Sequence, residues 1–221
     1  MTVLQTERTT VRRLPERARY DAETVHAIVD EALICHVGFV MGDAPVVIPT
    51  IHWRDGETLY FHGSPAAGML RNLKNGVRAC ATVTLLDGLV MARSAFHHSM
   101  NYRSAVIFGT AREVSGEEKL RALDLLVEHV CRGRSADVRP PNEIELRKTI
   151  VLALPIEEAS AKIRTGPPKD DEADYALPVW AGEVPVRLTA DSPRPDLQVL
   201  PEVEIPNYLA VSLNSRRAAS S

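Results

Sequence analysis

The chain has 221 residues, of which 45% are apolar and 25% charged, and its formal net charge is −3. This composition is ordinary for one globular domain with a complete hydrophobic core, and the small net charge gives no long-range attraction to nucleic acid or to an anionic membrane. No apolar run approaches the length that spans a bilayer, and the polar, Arg-rich start lacks an apolar signal core. We therefore expect no nucleic acid and no membrane among its partners.

The first half of the chain predicts an arm, a helix and three strands. Residues 1–19 are polar and form an N-terminal arm, and Asp21 is placed to cap a helix. The apolar face of that helix follows the helical period at Val25, Ile28, Val29, Ala32 and Leu33. Apolar segments bounded by turn residues then predict strands at 34–40, 46–53 and 58–62.

The second half alternates short helices with longer strands. Ser64 and Pro65 predict the start of a helix that Asn75-Gly76 closes. Strands are predicted at 77–86, 88–96 and 102–114, and Asp87-Gly88 predicts a tight turn between the first two. A capping box at 115–118 starts a helix with apolar residues at Leu120, Leu123, Val127 and Val130. A short helix at 142–148 and a closing strand at 149–154 complete the pattern.

Six or seven strands with few helices predict a mainly β fold, a closed antiparallel barrel with flanking helices. No G-x-G-x-x-G or P-loop sequence accompanies a strand–helix junction, which excludes the usual nucleotide cradles. We assign residues 20–165 to the barrel domain. Residues 166–221 are rich in proline and acidic side chains and predict an extended C-terminal arm whose last dozen residues are disordered.

Three cysteines, Cys35, Cys80 and Cys131, are widely spaced and contain no C-x-x-C pair. An odd number of separated cysteines favours free thiols in a reducing compartment, so we expect a cytoplasmic protein.

The segment Phe61-His62-Gly63-Ser64-Pro65 ends a predicted strand and opens a predicted helix. Free backbone N–H groups at such a terminus offer a site for an anion such as a phosphate. The simpler alternative is that Ser64 only caps the helix, and the local sequence does not decide between the two.

A second polar segment, residues 93–104, lies between two apolar strands and contains Arg103. It is either a solvated loop or the lining of a ligand site in which Arg103 faces an anion. The adjacent pair His97-His98 raises the question of a metal, but neighbours on a strand point to opposite faces and cannot easily share one ion. We therefore expect no metal site.

Four ordered segments carry a family resemblance: residues 35–39, 47–50, 59–64 and 100–106. In this order they resemble the pyridoxamine 5′-phosphate oxidase-like flavoproteins, most closely the branch that includes the nitroimidazole-resistance proteins. The resemblance extends from about Tyr20 to about Trp180. It implies a split β-barrel homodimer with FMN bound in a groove at the subunit interface.

The resemblance also implies the site. The strand matching residues 47–51 lies along the flavin ring, the segment matching His62 to Met69 holds the phosphate and ribityl chain, and the segment 101–104 closes the site. The cofactor-binding candidates are therefore Ile48, Pro49, Thr50, Ile51, His62, Gly63, Ser64, Met69, Arg71, Asn101, Tyr102, Arg103, Ser104 and Trp180. A strand proline such as Pro49 removes a ladder donor and is typical of an edge that a ligand can approach.

One departure from the family pattern concerns the phosphate. Relatives carry Arg or Lys where this chain has Ala66-Ala67-Gly68, so a charged phosphate contact is missing unless Arg71 or Arg103 replaces it. Trp180 is either a lid over the flavin or an anchor of the arm to the barrel.

Two functions follow from this sequence. The first is an FMN-dependent oxidoreductase that passes electrons from a nicotinamide donor to a small acceptor, with the flavin supplying the chemistry. The alternative is a non-catalytic protein that sequesters a flavin, a deazaflavin or haem. No residue is an obvious general acid or base, and the Arg-x-His signature of a true pyridoxamine phosphate oxidase is absent.

Overall fold

The computed structural model describes residues 3–209, and the mainly β fold is confirmed. Strands and helices are numbered in chain order. The main antiparallel sheet has the order β1 (Ala18–Arg19), β10 (Glu158–Arg164), β7 (Ser99–Thr110), β6 (Arg78–Met91), β2 (Ile34–Met41) and β3 (Ala44–Ile51), and β11 (Gly182–Pro185) also pairs with β6. The second sheet has the order β4 (Trp53–Asp55), β5 (Thr58–Gly63), β9 (Ile150–Pro155) and β8 (Arg112–Glu113). The α-helices are α1 (Ala22–Glu31), α2 (Gly68–Lys74), α3 (Gly116–Val130) and α4 (Glu143–Arg147).

The main core is built from the inner faces of both sheets together with α1 and α2. Alternate residues of β2 point into it, so that Cys35, Val37 and Phe39 are buried while their neighbours are more exposed. Burial raises the pKa of the Cys35 thiol to about 12, so this thiol is a packing group rather than a nucleophile.

Helix α1 begins as predicted, because the Asp21 carboxylate accepts the Thr24 N–H at 2.8 Å. Its residues Val25, Ile28 and Val29 are buried in the core. Helix α4 is likewise confirmed, and Asn142 forms a capping box with Glu145.

The longest strand corrects the predicted turn at Asp87-Gly88. Residues 78–91 form one strand, β6, which pairs with β7 on both sides of a bulge between Leu86 and Gly88. An Asp-Gly pair suits a bulge as well as a turn, because glycine accommodates the local backbone shift in both. The predicted strand 77–86 and the predicted strand 88–96 as far as Met91 are therefore one element, whereas residues 95–97 form a 3-10 helix.

Three further local predictions were wrong. The strand predicted at 46–53 is interrupted at His52, which separates β3 from β4. The Ser64 hydroxyl does not cap α2: it accepts the Ala66 N–H in a preceding turn, and the helix begins four residues later at Gly68. Ser115 precedes α3 without a side-chain cap, because Glu118 turns away to Arg112 and Tyr60.

A second, smaller core lies between β4, β5, β9 and α3, and Trp53 stacks on Tyr60 at its centre. His52 is fully buried and directly precedes β4. Its Nε2–H donates to the Val29 carbonyl at 2.9 Å, and its ring lies 5.6 Å from that of His129.

Both arms contact the barrel. Leu4 is buried in the main core, donates its N–H to the Tyr20 carbonyl and accepts that of Ala159. In the C-terminal arm, residues 172–176 form a 3-10 helix and β11 joins the main sheet. The disorder predicted for the last dozen residues concerns 210–221, which lie outside the described residues. No helix within residues 3–209 has both the length and the apolarity to cross a membrane.

Candidate functional site

Strand β3 is an edge of the main sheet and carries four of the predicted site residues. It pairs only with β2 in the described part of the chain, and most of its length is exposed. Pro49 lies opposite His36, while Ile48, Thr50 and Ile51 line the same edge. A strand in this position presents backbone N–H and C=O groups that a ligand can bind.

The outer face of the β2–β3 hairpin is apolar. Directly paired residues share a face, and the pairs Ile34–Ile51, Gly38–Val47 and Val40–Pro45 alternate with inward-pointing pairs. Val47 is 62% exposed, and both Ile34 and Val40 are more than half exposed. This apolar surface, which we call the outer face, has no cover within residues 3–209.

The turn between β5 and α2 carries the second group of predicted residues. Burial lowers the pKa of His62, whose Nδ1 is buried without a hydrogen-bond partner and whose ring lies 5.7 Å from that of Trp53. Gly63 lies under Leu70, because a Cβ there would come within 3.0 Å of the Leu70 side chain. Ser64 is exposed.

Helix α2 supplies two predicted residues with different surroundings. Met69 is buried in the main core, so its side chain packs there and is not available to a ligand. Arg71 is exposed and forms no ion pair among the described residues. The start of α2 lies beside the end of β2, where a Cβ on Gly68 would contact the Met41 sulfur at 3.7 Å.

Arg103 on β7 is held by two carboxylates. Its guanidinium donates to both oxygens of Asp87, at 3.0 and 2.7 Å, and to both oxygens of Glu31. These hydrogen bonds raise the pKa of Arg103 above its usual value. The interpretation of Arg103 as an anion ligand is not supported by these contacts, because both sides of its planar fork are used within the chain.

Asn101 belongs to a polar network that joins three strands. It is buried, accepts a hydrogen bond from Arg164 on β10 and donates its amide to Glu183 on β11 at 2.5 Å. Ser104 donates to the Lys162 carbonyl at 3.3 Å, and Tyr102 is half-buried. The segment 101–104 therefore holds neighbouring strands together within one chain.

The predicted residues form two separate groups in one protomer. β3 and the β5–α2 turn are neighbours, whereas β7 is separated from β3 by β6 and β2. Three strand spacings amount to roughly 14 Å. The segment 101–104 and the β3 edge therefore cannot line one flavin ring within a single chain.

The C-terminal arm contains Trp180, which the sequence singled out, and Asp170, which it did not. Asp170 accepts the backbone N–H and the guanidinium of Arg93, whose guanidinium also lies 5.0 Å from the Tyr175 ring centre. Trp180 is 67% exposed, and its ring covers Gly182. Asp170 and Arg93 are 77 residues apart in the chain, so no local sequence signal predicted their ion pair.

Comparisons with known proteins agree with this architecture. The sequence profile of the pyridoxamine 5′-phosphate oxidase family matches residues 21–163. No curated protein matches the chain. Among solved structures, the flavocytochrome Anf3 from Azotobacter vinelandii is 43% identical and covers 94% of this chain and 97% of its own, with a TM-score of 0.88.

Two other solved structures are similar. A FAD and haem binding protein from Mycobacterium smegmatis is 33% identical, covers 89% of this chain and 97% of its own, and has a TM-score of 0.86. A protein from Bacteroides thetaiotaomicron described as a 5-nitroimidazole antibiotic resistance protein is 25% identical, covers 66% of this chain and 86% of its own, and has a TM-score of 0.56.

The fold and these similarities define the class of protein. The chain belongs to the pyridoxamine 5′-phosphate oxidase-like family, and its two antiparallel sheets form the split β-barrel of that family. The first two solved structures match nearly the whole chain. The Anf3 match leaves only about 13 residues outside, so it includes most of the C-terminal arm.

Proposed function

We propose that this protein is a flavin- and haem-binding oxidoreductase of the flavocytochrome type. The observation that carries the proposal is the extent of the similarity: the barrel and most of the arm match a flavocytochrome and a FAD and haem binding protein. The resistance protein, whose description names neither cofactor, matches only 66% of the chain. The three cysteines are free, and we include a cytoplasmic location in the proposal.

The β3 edge is the flavin site in this proposal. Its open backbone groups and the exposed side chain of Ile48 fit the polar edge and the apolar face of an isoalloxazine ring. The β5–α2 turn adjoins this edge and places Gly63 and Ser64 toward the rest of the cofactor. His62, with its unpaired Nδ1, lies at the same end.

We propose FAD rather than the FMN that the family resemblance implied. The terminal phosphate of FMN is a monoester with a concentrated charge that calls for a nearby cation. Residues 66–68 supply none, and Arg103 is engaged by Glu31 and Asp87. Only Arg71 is exposed and unpaired in this part of the described chain. The FAD diphosphate carries one negative charge on each of two linked phosphate groups, and this more dispersed charge suits the site better.

The proposal includes a homodimer in which both protomers complete each site. The outer face of the β2–β3 hairpin is an exposed apolar surface, and a second copy of the chain would cover it. Since residues 101–104 lie on another part of the sheet from β3, they reach the flavin only from the partner protomer.

When bound, the flavin supplies two-electron and one-electron chemistry and the haem supplies one-electron chemistry. The chain contributes orientation and exclusion of water. β3 orients the flavin ring through its backbone, and the arm, held by Asp170 and Glu183, covers the β6 edge. A nicotinamide remains the proposed electron donor.

The test is the cofactor content of the full-length protein. We expect a flavin absorption band together with a Soret band, and chromatography of the released flavin should give FAD. Light scattering should give a dimer. Val47→Asp should release both the partner and the flavin, whereas Leu188→Asp, at a side chain 88% exposed on the arm, should release neither.

Different results contradict different parts of the proposal. A protein that takes up neither flavin nor haem when both are supplied contradicts the function itself. Release of FMN instead of FAD restores the first expectation. A monomer that retains its full flavin content contradicts the composite site. If neither NADH nor NADPH reduces the bound flavin, the proposal of a nicotinamide electron donor is wrong.

A further inference from the structure

We propose that His98 ligates the haem iron through Nε2, on an apolar surface that the β6–β7 hairpin and the C-terminal arm build together. This inference rests on the proposed function, because it names the site of the haem. It is carried by the hydrogen bond of His98, by the side chains around it and by the state of the other histidines.

The imidazole of His98 has the tautomer and the hydrogen bond that are typical of a metal ligand. Its Nδ1 lies 2.9 Å from the Ser94 carbonyl oxygen. A carbonyl can only accept, so Nδ1 carries the proton and the lone pair of the neutral ring is on Nε2. Ligating histidines are commonly oriented by such a bond from the other ring nitrogen to a backbone carbonyl. His98 is exposed, and its Nε2 has no partner within residues 3–209.

The strand register places apolar side chains beside His98. Met100, Leu89 and Val184 are directly paired across β7, β6 and β11, so they share one face. Two residues along, Met91 pairs with Gly182 on the same face. Extending the β6–β7 register by one pair past Val90–Ser99 puts His98 opposite Met91.

Aromatic side chains border this surface. The Trp180 ring lies on the side-chain side of Gly182, within 3.0 Å of the position that a Cβ would take there. Phe96, two residues before His98, is 89% exposed, and Met100 is 52% exposed. An exposed imidazole on a surface that carries exposed aromatic and thioether side chains fits a porphyrin, which presents apolar faces and one iron in need of an axial ligand.

The other six histidines are less suited. His26 Nε2 lies 3.1 Å from a Glu57 carboxylate oxygen, and His129 Nε2 lies 3.0 Å from the Ala32 carbonyl oxygen. His97 Nε2 faces the Asp171 carboxylate at 3.4 Å, and His52 is fully enclosed in the core. His62 is largely buried against Trp53. His36 is exposed, but it lies on the outer face that we assign to the partner protomer. The expectation that His97 and His98 cannot share one ion is no obstacle, because haem iron takes its other ligands from the porphyrin.

The experiment compares His98→Ala, His98→Cys, His97→Ala and His36→Ala in the full chain, with flavin content as the control for folding. Loss of even an outer partner of a metal ligand costs about 10–100-fold in affinity, so His98→Ala should weaken hemin binding at least roughly tenfold. Imidazole added to this variant should restore the parent Soret band. His98→Cys should bind hemin with a shifted Soret band and altered electron paramagnetic resonance, because the axial ligand sets both. His97→Ala should match the parent.

The inference is overturned if His98→Ala and His98→Cys bind hemin as tightly as the parent protein does and show the same Soret band as the parent. It is also overturned if His36→Ala alone loses the haem. A parent protein that binds flavin but no hemin at all overturns the haem part of the proposed function and this inference with it. Those outcomes are distinguishable, because the last one is read from the parent protein alone.

Discussion

Asp170 and Arg93 join the C-terminal arm to the barrel through a carboxylate that solvent does not reach. The two oxygens of Asp170 accept the backbone N–H of Arg93 at 2.9 Å and its guanidinium at 3.0 Å. Burial alone would raise the pKa of Asp170, but these hydrogen bonds outweigh it and lower the pKa below its usual value of 3.8. The arm is thus fastened at a defined point 12 residues before the start of β11.

Replacing Asp170 with Ala should detach the start of the arm without unfolding the barrel. Residues 166–209 contribute no side chain to the main core, whereas Arg93 would lose both of its bonds to the carboxylate. We expect cleavage within residues 166–180 to be roughly tenfold faster in limited proteolysis, which corresponds to the loss of one charge-assisted hydrogen bond. Asp191→Ala, at an exposed arm position, is the control and should cleave at the parent rate.

Arg103→Met should lower stability in the absence of any cofactor. Removal of the guanidinium leaves the carboxylates of Glu31 and Asp87 facing each other without their shared cation. We expect a loss of about 2 kcal/mol in the free energy of unfolding, between the values for exposed and buried pairs. Chemical denaturation of the apoprotein measures it. An unchanged denaturation midpoint together with a loss of flavin affinity would contradict this structural role and would support Arg103 as a ligand of the flavin.

His52 should make the protein less stable as the pH falls below about 6.5. Burial lowers the pKa of His52 from 6.5, although the Val29 carbonyl and Asp30 partly oppose the shift. The unfolded state therefore binds a proton that the folded state does not, and the free energy of unfolding falls as the pH drops through this range. The slope approaches about 1.4 kcal/mol per pH unit for one such group.

Urea unfolding of the parent and of His52→Gln at pH 5.5, 6.5 and 7.5 checks this prediction. The variant should be less stable at pH 7.5 and should show a smaller loss on acidification. Identical slopes in the two proteins would assign the pH dependence to other groups.

Gly88→Val should separate β11 from β6. A Cβ at Gly88 would lie 3.2 Å from the Val184 carbonyl oxygen and 3.6 Å from the Cα of Pro185, and both are backbone atoms that cannot rotate away. We expect faster amide hydrogen exchange in residues 182–185 and an unchanged rate in β2. Gly42→Val is the comparison for a glycine substitution that meets no neighbour, although its positive φ adds local strain there. Protection retained in β11 would contradict the steric argument.

The elements that the sequence predicted correctly are those that depend on residues close together in the chain. Asp21 and Asn142 cap their helices within three residues, and the alternating burial of β2 follows from its own side chains. The family segments also predicted the split barrel, because their order along the chain is specific.

The features that the sequence did not predict depend on distant partners. Arg103 looked available for an anion because Glu31 lies 72 residues away, and the Asp170–Arg93 pair spans 77 residues. At Asp87-Gly88 the same residues suit a turn or a bulge, and only pairing with β7 decides between them. The tautomer of His98 depends on a nearby group, the Ser94 carbonyl, but the sequence does not show that the ring reaches it.

The pairing of β11 with β6 also covers a sheet edge on which β-aggregation could otherwise begin. β2 covers one part of the β6 edge at residues 80–82, and β11 covers residues 88–91 of the same edge. A chain truncated before residue 182 would expose that second part as a bare row of N–H and C=O groups next to Leu89 and Met100, which is the kind of surface from which β-aggregation begins. The arm therefore covers a strand edge that would otherwise be open to pairing with another chain.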